Sequence, residues 1–206
     1  MEGLPVAFVA SLLLGMRHAT DADHIVAVST IVNGEQKLLR SSRVGLMWGL
    51  GHTLTIVLAG SVIILLKVAF TPKVGLSMEL CVALMLMVLG YLNLTNRSPA
   101  AESAPQLRPF IVGAVHGMAG SAAAVLLIIP LIGDPAWALL YLGVFGAGTI
   151  VGMTLVTMAI AAPAIYAGDR LAGLHRGIRV ASGGVSLLFG AWLSYRIGFV
   201  DGLFTS

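Results

Sequence analysis

The sequence predicts an all-α, polytopic membrane protein with about six transmembrane helices, and three observations carry that prediction. The chain is 58% hydrophobic and only 10% charged, whereas soluble domains carry about 25% charged residues. Its mean hydropathy is +0.97. Six apolar stretches, residues 4–31, 44–66, 75–94, 110–132, 136–160 and 178–199, follow one another along the chain, each near or above the ~20 residues a membrane helix needs. They consume most of the 206 residues, so a single membrane domain over 1–206 is expected.

The first stretch does not read as a signal peptide. Met1, Glu2 and Gly3 supply no basic leader, and the apolar run continues past a polar motif without a small-residue cleavage site. Cys81 is the single cysteine, which excludes an intramolecular disulfide. A net charge of +3 could suggest nucleic acid, but the basic residues are scattered one to three per loop and read as topology signals instead. Loops after the first, third and fifth stretches carry Lys37, Arg40, Arg43, Arg97, Arg108, Arg170, Arg176 and Arg179; the opposite side has Lys67, Lys73 and Arg196. Positive charge marks the cytoplasmic face, so both termini are expected outside the cytoplasmic membrane.

The first stretch holds Arg17, His18, Asp21, Asp23 and His24 near its middle. Each Asp or Arg at a membrane-helix centre costs roughly 2.5–3.5 kcal/mol, so such residues persist by pairing, facing water or holding an ion. On a straight helix His18 and His24 lie about 9 Å apart along the axis with Asp23 on the far side. Metal bonds of about 2.0–2.2 Å cannot span that, so either the helix is interrupted near residues 15–23 or Asp23 acts from behind a ligand. Arg17 and Asp21 are i,i+4 neighbours and are expected to pair.

The second stretch brings His52 among glycines and hydroxyls, Gly49-Leu50-Gly51-His52-Thr53. The third carries Glu79 near its outer end and closes on Gly90-Tyr91-Leu92-Asn93. Residues 95–109 form the longest linker, with three of the eight prolines. The fourth contains Gly113-Ala114-Val115-His116-Gly117-Met118-Ala119-Gly120-Ser121, the fifth Gly146-Ala147-Gly148-Thr149, and the sixth Gly183-Gly184 and Gly190. Glycines spaced by four allow close helix crossing in lipid.

The two halves, about 1–96 and 108–206, look alike. His18 matches His116, Gly49-x-Gly51-His52 matches Gly146-x-Gly148-Thr149, and Leu89-Gly90 matches Phe189-Gly190. Three spans per half is odd, so two inverted three-helix repeats are expected, as in many secondary transporters.

A lone membrane histidine is most often a helix–helix contact. Here four of the five histidines, His18, His24, His52 and His116, lie within apolar stretches alongside Asp23. Imidazole with carboxylate suits Ni, Co, Cu or Zn, whereas Mg and Ca prefer oxygen-only sites. These five residues are the expected metal ligands, with Arg17, Asp21, Thr53 and Ser121 in support. No G-x-x-x-x-G-K-[ST] is present to bind a nucleotide, and no H-E-x-x-H to supply a zinc-protease base.

The run from Arg17 to Ile25 resembles the His-x4-Asp-His signature of the nickel/cobalt permease family (NiCoT/NicO type). Gly49 to Thr53 resembles a further segment of that family. His116-Gly117-Met118-Ala119-Gly120-Ser121-Ala122 resembles its short, urease-associated members. The resemblance implies uptake of Ni(II), or Co(II), as transported substrate across the cytoplasmic membrane, with His18, Asp23 and His24 at the family's essential positions. Six spans rather than the eight of longer members, and no histidine-rich loop like that of related efflux proteins, are its departures. The expected function is therefore import of a divalent transition metal without an enzymatic reaction. An efflux permease of the same fold and an intramembrane metalloenzyme are the competing readings.

Overall fold

A computed structural model describes residues 4–32, 37–66, 71–95, 107–119, 134–167 and 172–205. The regular elements among the described residues are all helices: α1 (Leu4–His18), α2 (Ala22–Ile31), α3 (Leu38–Leu66), α4 (Pro72–Leu94), α5 (Leu107–Gly117), α6 (Pro135–Ala167) and α7 (Ala172–Tyr195). The last of these continues into one widened, π-type turn, Arg196–Val200. Four helices, α3, α4, α6 and α7 with its widened turn, are long and apolar enough to cross a membrane. Their outward faces carry Leu54, Leu58, Val62, Leu155 and Leu188 exposed, as expected where lipid rather than protein covers a helix.

The first apolar stretch is two helices rather than one. The chain leaves helical geometry at residues 19–21, and the turn satisfies its own backbone: the Thr20 and Asp21 N–H groups donate to the Arg17 and His18 carbonyls, at 2.9 and 3.1 Å. The Thr20 hydroxyl also donates to the Arg17 carbonyl at 2.6 Å. Asp21 then enters α2 from an extended conformation, φ −61° and ψ 148°. The interruption expected on geometric grounds is present, and it lies at residues 19–21, within the expected interval 15–23. Of the fourth stretch, the described residues show α5, eleven residues long, ending just after His116; Ser121 lies outside the described residues.

Small residues set how the helices meet. α3 packs between α6 and α5, α1 packs on α6, and α4 packs on α7. A methyl group at Gly15 of α1 would overlap the Phe145 carbonyl of α6, and one at Gly113 of α5 would overlap the Trp48 carbonyl of α3. Gly148 meets the Leu12 carbonyl and Gly51 the Phe110 carbonyl in the same backbone-to-backbone manner. At the α4–α7 crossing, Gly90 faces the Gly183 carbonyl and Leu187 amide, while Gly190 faces the Ala83 carbonyl and Met87 amide. Hydroxyl side chains tie two of the same pairs, Ser11 to the Tyr141 carbonyl at 2.9 Å and Ser186 to the Leu86 carbonyl at 2.8 Å, and the Asn93 amide of α4 adds a tie to the Thr30 carbonyl of α2 at 3.2 Å. Each such bond contributes on the order of 0.6 kcal/mol in a bilayer.

These crossings give a stability prediction. Gly15→Ala and Gly113→Ala each force a methyl onto a neighbouring backbone and should destabilise by about 1–3 kcal/mol or more. Gly143→Ala meets nothing within 4 Å and should be neutral or slightly stabilising. Thermal unfolding of the detergent-purified variants, followed by size-exclusion chromatography, checks the order.

Candidate metal centre

The turn at residues 19–21 decides where the histidines go. By ending α1 at His18 and restarting the chain at Ala22, it folds two residues that a continuous helix would hold apart onto each other. The His18 and His24 rings lie 4.6 Å apart, centroid to centroid. His52 enters from α3 at 5.1 Å from each of them, and His116 from α5 at 4.8 Å from His24. His24, His52 and His116 are completely buried and His18 nearly so.

Two overlapping donor groups result. One ligand atom from each of His18, His24 and His52 falls within 4.8 Å of the others, and the same holds for Asp23, His24 and His116. His24 belongs to both. The His18 and His52 Nε2 atoms face each other at 3.1 Å; metal–nitrogen bonds of roughly 2.0–2.1 Å place neighbouring ligands on one ion roughly 2.9–3.4 Å apart.

Carboxylates aim the rings. Asp21 accepts from His18 Nδ1 at 2.8 Å, and Asp23 Oδ1 accepts from His24 Nδ1 at 3.0 Å. An ionised carboxylate only accepts, so both Nδ1 atoms carry protons and each neutral ring keeps its lone pair on Nε2. The second oxygen of Asp23 lies 3.6 Å from His116 Nε2. Buried atoms without a hydrogen-bond partner include His24 Nε2, His52 Nδ1 and both ring nitrogens of His116. Imidazoles steadied through Nδ1 by carboxylates, with Nε2 turned inward, are the arrangement in which metal-binding histidines are usually held. This donor set therefore fits a transition-metal ion better than a helix–helix contact, which would leave no ring nitrogen over.

Residues 5–97 match the family described as NicO, high-affinity nickel-transport protein. Over 211 aligned residues the chain is 34% identical to "Urease accessory protein UreH" from Bacillus sp. (strain TB-90), an alignment covering 93% of this chain and 92% of that protein. The chain belongs to the NicO family. No solved structure matches it.

Within this NicO protein, the expected ligands His18, Asp23, His24, His52 and His116 all converge. The supporting residues divide. Asp21 bonds His18 rather than Arg17, because the helix that would have made Arg17 and Asp21 neighbours ends between them. Arg17 is exposed and forms no ion pair among the described residues. Thr53 turns away from the imidazoles and donates to the Gly146 carbonyl of α6 at 3.1 Å. Two walls were not anticipated. Trp48 is fully buried with its ring 5.5 Å from His24 and 6.0 Å from His116, and Phe145 lies 5.7 Å from His18. The signal for Trp48 was available, since it lies one helical turn before His52 on the same face.

The division of roles is measurable. In calorimetric titration with NiCl2, Asp21→Asn should bind about 10–100-fold more weakly, the usual consequence of losing a group that orients a ligand. Thr53→Val should bind like the parent and lose only about 0.6 kcal/mol of stability.

Proposed function

We propose that this NicO protein is a permease that imports Ni(II), with Co(II) as an alternative cargo, across the cytoplasmic membrane through a site built from His18, Asp23, His24, His52 and His116. The observation that carries the reading is the convergence of these five donors, from four helices, into two groups sharing His24. The family's description as a nickel-transport protein and the urease-accessory name of the relative support nickel as the cargo. In this reading the cation occupies one group and passes to the other by exchanging ligands while His24 keeps hold. Between the His18 and His52 Nε2 atoms it takes the place of the proton they share.

Inward movement needs no nucleotide. A divalent cation falling through 100 mV gains about 4.6 kcal/mol, twice the ~2.3 per charge. A nanomolar site would hold the ion by about 12 kcal/mol, so release requires that the inward-facing state weaken it. Loss of one ligand of a shared set does so.

The architecture in this proposal is six spans arranged as two inverted repeats, with both termini outside. Glycine contacts support the repeat: Gly15 against Phe145 and Thr149 has its counterpart in Gly113 against Trp48 and His52, and Gly148 against Leu12 in Gly51 against Phe110. The α4–α7 crossing exchanges with itself, Gly90 against Gly183 and Leu187 answering Gly190 against Ala83 and Met87. Rocking of one half against the other about this site is the motion such pairs permit.

Uptake of radiolabelled nickel by cells carrying His18→Ala, His24→Ala or Asp23→Asn tests the site. Each should abolish transport while protein still reaches the membrane. His52→Ala and His116→Ala should reduce affinity about 10–100-fold or shift the nickel-to-cobalt preference. Parent-like binding and transport by the His18 and His24 variants would overturn the site, and net extrusion by the parent would reverse the direction. Epitope tags at both termini should be labelled in intact cells; labelling only after permeabilisation would reverse the orientation.

A further inference from the structure

A cavity of about 340 Å³ lies beside the metal centre, lined by Asp23, Glu79 and Arg196 among polar groups, with Phe189, Trp192 and Leu193 among its apolar walls. It joins two carboxylates that are 56 residues apart in sequence, Asp23 of the donor set and Glu79 of α4. Glu79 stands seven residues after Pro72, the first residue of α4, or about 10 Å along the axis. Arg196 stands where α7 ends. The cavity thus runs from Asp23, mid-way through the first apolar stretch, toward the side on which α4 begins and α7 finishes. Charge counting assigns that side to the exterior. Its volume accommodates a divalent cation with six waters, roughly 210 Å³ at ~30 Å³ for each particle.

The charges around it favour a cation. Glu79 lies within electrostatic reach of Asp201, Arg196 and Asp23. Arg196, the one cation among the described residues lining the space, is shared with a third carboxylate: its Nε is 3.5 Å from Asp201 Oδ2, and its guanidinium lies 5.7 Å from the Trp192 ring centroid. The widened turn makes that pairing local, since the Asp201 N–H donates to the Arg196 carbonyl at 2.8 Å. Glu79, Asp23 and Asp201 thus outnumber Arg196 three to one around the space, which leaves it net negative. Apolar walls concentrate their field along it.

We propose that this cavity is the outer portal of the permease, and that Glu79 is its cation-capture residue, drawing the hydrated divalent ion inward and delivering it to Asp23. The proposal rests on the import reading and adds the route and a selectivity step that precedes the metal centre. Glu79 acts on a still-hydrated ion, so it discriminates by charge, and the imidazoles beyond it discriminate by donor type. It sets the rate of capture at low metal concentration rather than the rate of turnover.

Nickel uptake by intact cells over a range of concentrations and ionic strengths tests this. Glu79→Gln should raise KM about three- to tenfold, in the range of electrostatic focusing, leave the maximal rate within about twofold, and flatten the dependence of KM on salt. Glu79→Asp should restore parental KM. In a Cys81→Ser background, Leu193→Cys should react with a membrane-impermeant thiol reagent added outside, and NiCl2 should slow that reaction. Parent-like KM and salt dependence in Glu79→Gln, or reaction of Leu193→Cys only from the cytoplasmic side, would overturn the portal while leaving the permease intact. Absence of nickel uptake by the parent would overturn the permease reading and the portal with it. Should Glu79→Gln fail to reach the membrane, labelling of Leu193→Cys decides alone.

Discussion

An imidazole carried into a bilayer must find partners for its nitrogens, and that requirement governs the shape of this protein. A buried donor or acceptor left unpaired costs about 1–3 kcal/mol, and water is not at hand to relieve it. Interrupting the first apolar stretch meets part of the demand, giving the Nδ1 atoms of His18 and His24 carboxylate partners, while His24 Nε2, His52 Nδ1 and both His116 nitrogens are left without a hydrogen-bond partner. A continuous helix would hold His18 and His24 about 9 Å apart along the axis, whereas the turn brings their rings to 4.6 Å. The turn is inexpensive because its backbone is satisfied locally, by the Thr20 and Asp21 N–H groups and the Thr20 hydroxyl. Such irregular backbone is tolerated at membrane depth only where it is buried in protein or lines a water-filled cavity. Ala19 is fully buried, while Thr20 beside it is exposed.

The second half of the demand falls on the neighbouring helices. His52 and His116 reach the same point only because α3 and α5 approach backbone to backbone, through Gly51 against Phe110 and Gly113 against Trp48. Larger residues there would move two imidazoles outward by more than the tolerance of a metal bond. Trp48 then fills the space that the glycines leave beside His24 and His116. Packing and chemistry are therefore the same constraint: small residues fix the axis distance, and the aromatic wall excludes the water that would otherwise solvate the rings.

Much of this was legible in the sequence, for reasons that can be named. The helical class followed from hydropathy, and the identity of the five converging donors followed from the cost of polar groups within apolar stretches. That the first stretch breaks followed from helix geometry and metal bond lengths. The interval expected for the break, residues 15–23, contains the turn at 19–21, but its position within that interval did not follow, because Gly15 at one end of it serves as a crossing point against Phe145. The partner of Asp21 was misread for the same reason: pairing with Arg17 assumes an unbroken helix, and once α1 ends at His18 the carboxylate turns to that ring instead. Thr53 sits beside His52 in sequence but faces α6, since successive helical residues point about 100° apart. Glu79 reads as an interfacial acid in sequence, and only the packing of α4 and α7 beside α2 brings it to the same cavity as Asp23.

Charge balance links the proposed site to its cargo. Asp21 and Asp23 each accept a hydrogen bond from an imidazole of the proposed site; Asp23 has 21% of its side chain exposed, whereas Asp21, at 44%, is partly solvated. The charge a cation would meet inside is therefore chiefly that of Asp23, and a buried charge without its partner is far more costly than a closed set. Alkaline-earth cations match the charge but not the donors, because they prefer oxygen and most of this set is nitrogen. In the proposed site, discrimination would rest on carboxylate charge and on the type of the remaining ligands. Neither property separates nickel from cobalt, which share charge and donor preference and differ in favoured geometry. Any preference between them must come from the angles at which His52 and His116 approach, and these are set by glycine crossings rather than by the motif in the first stretch.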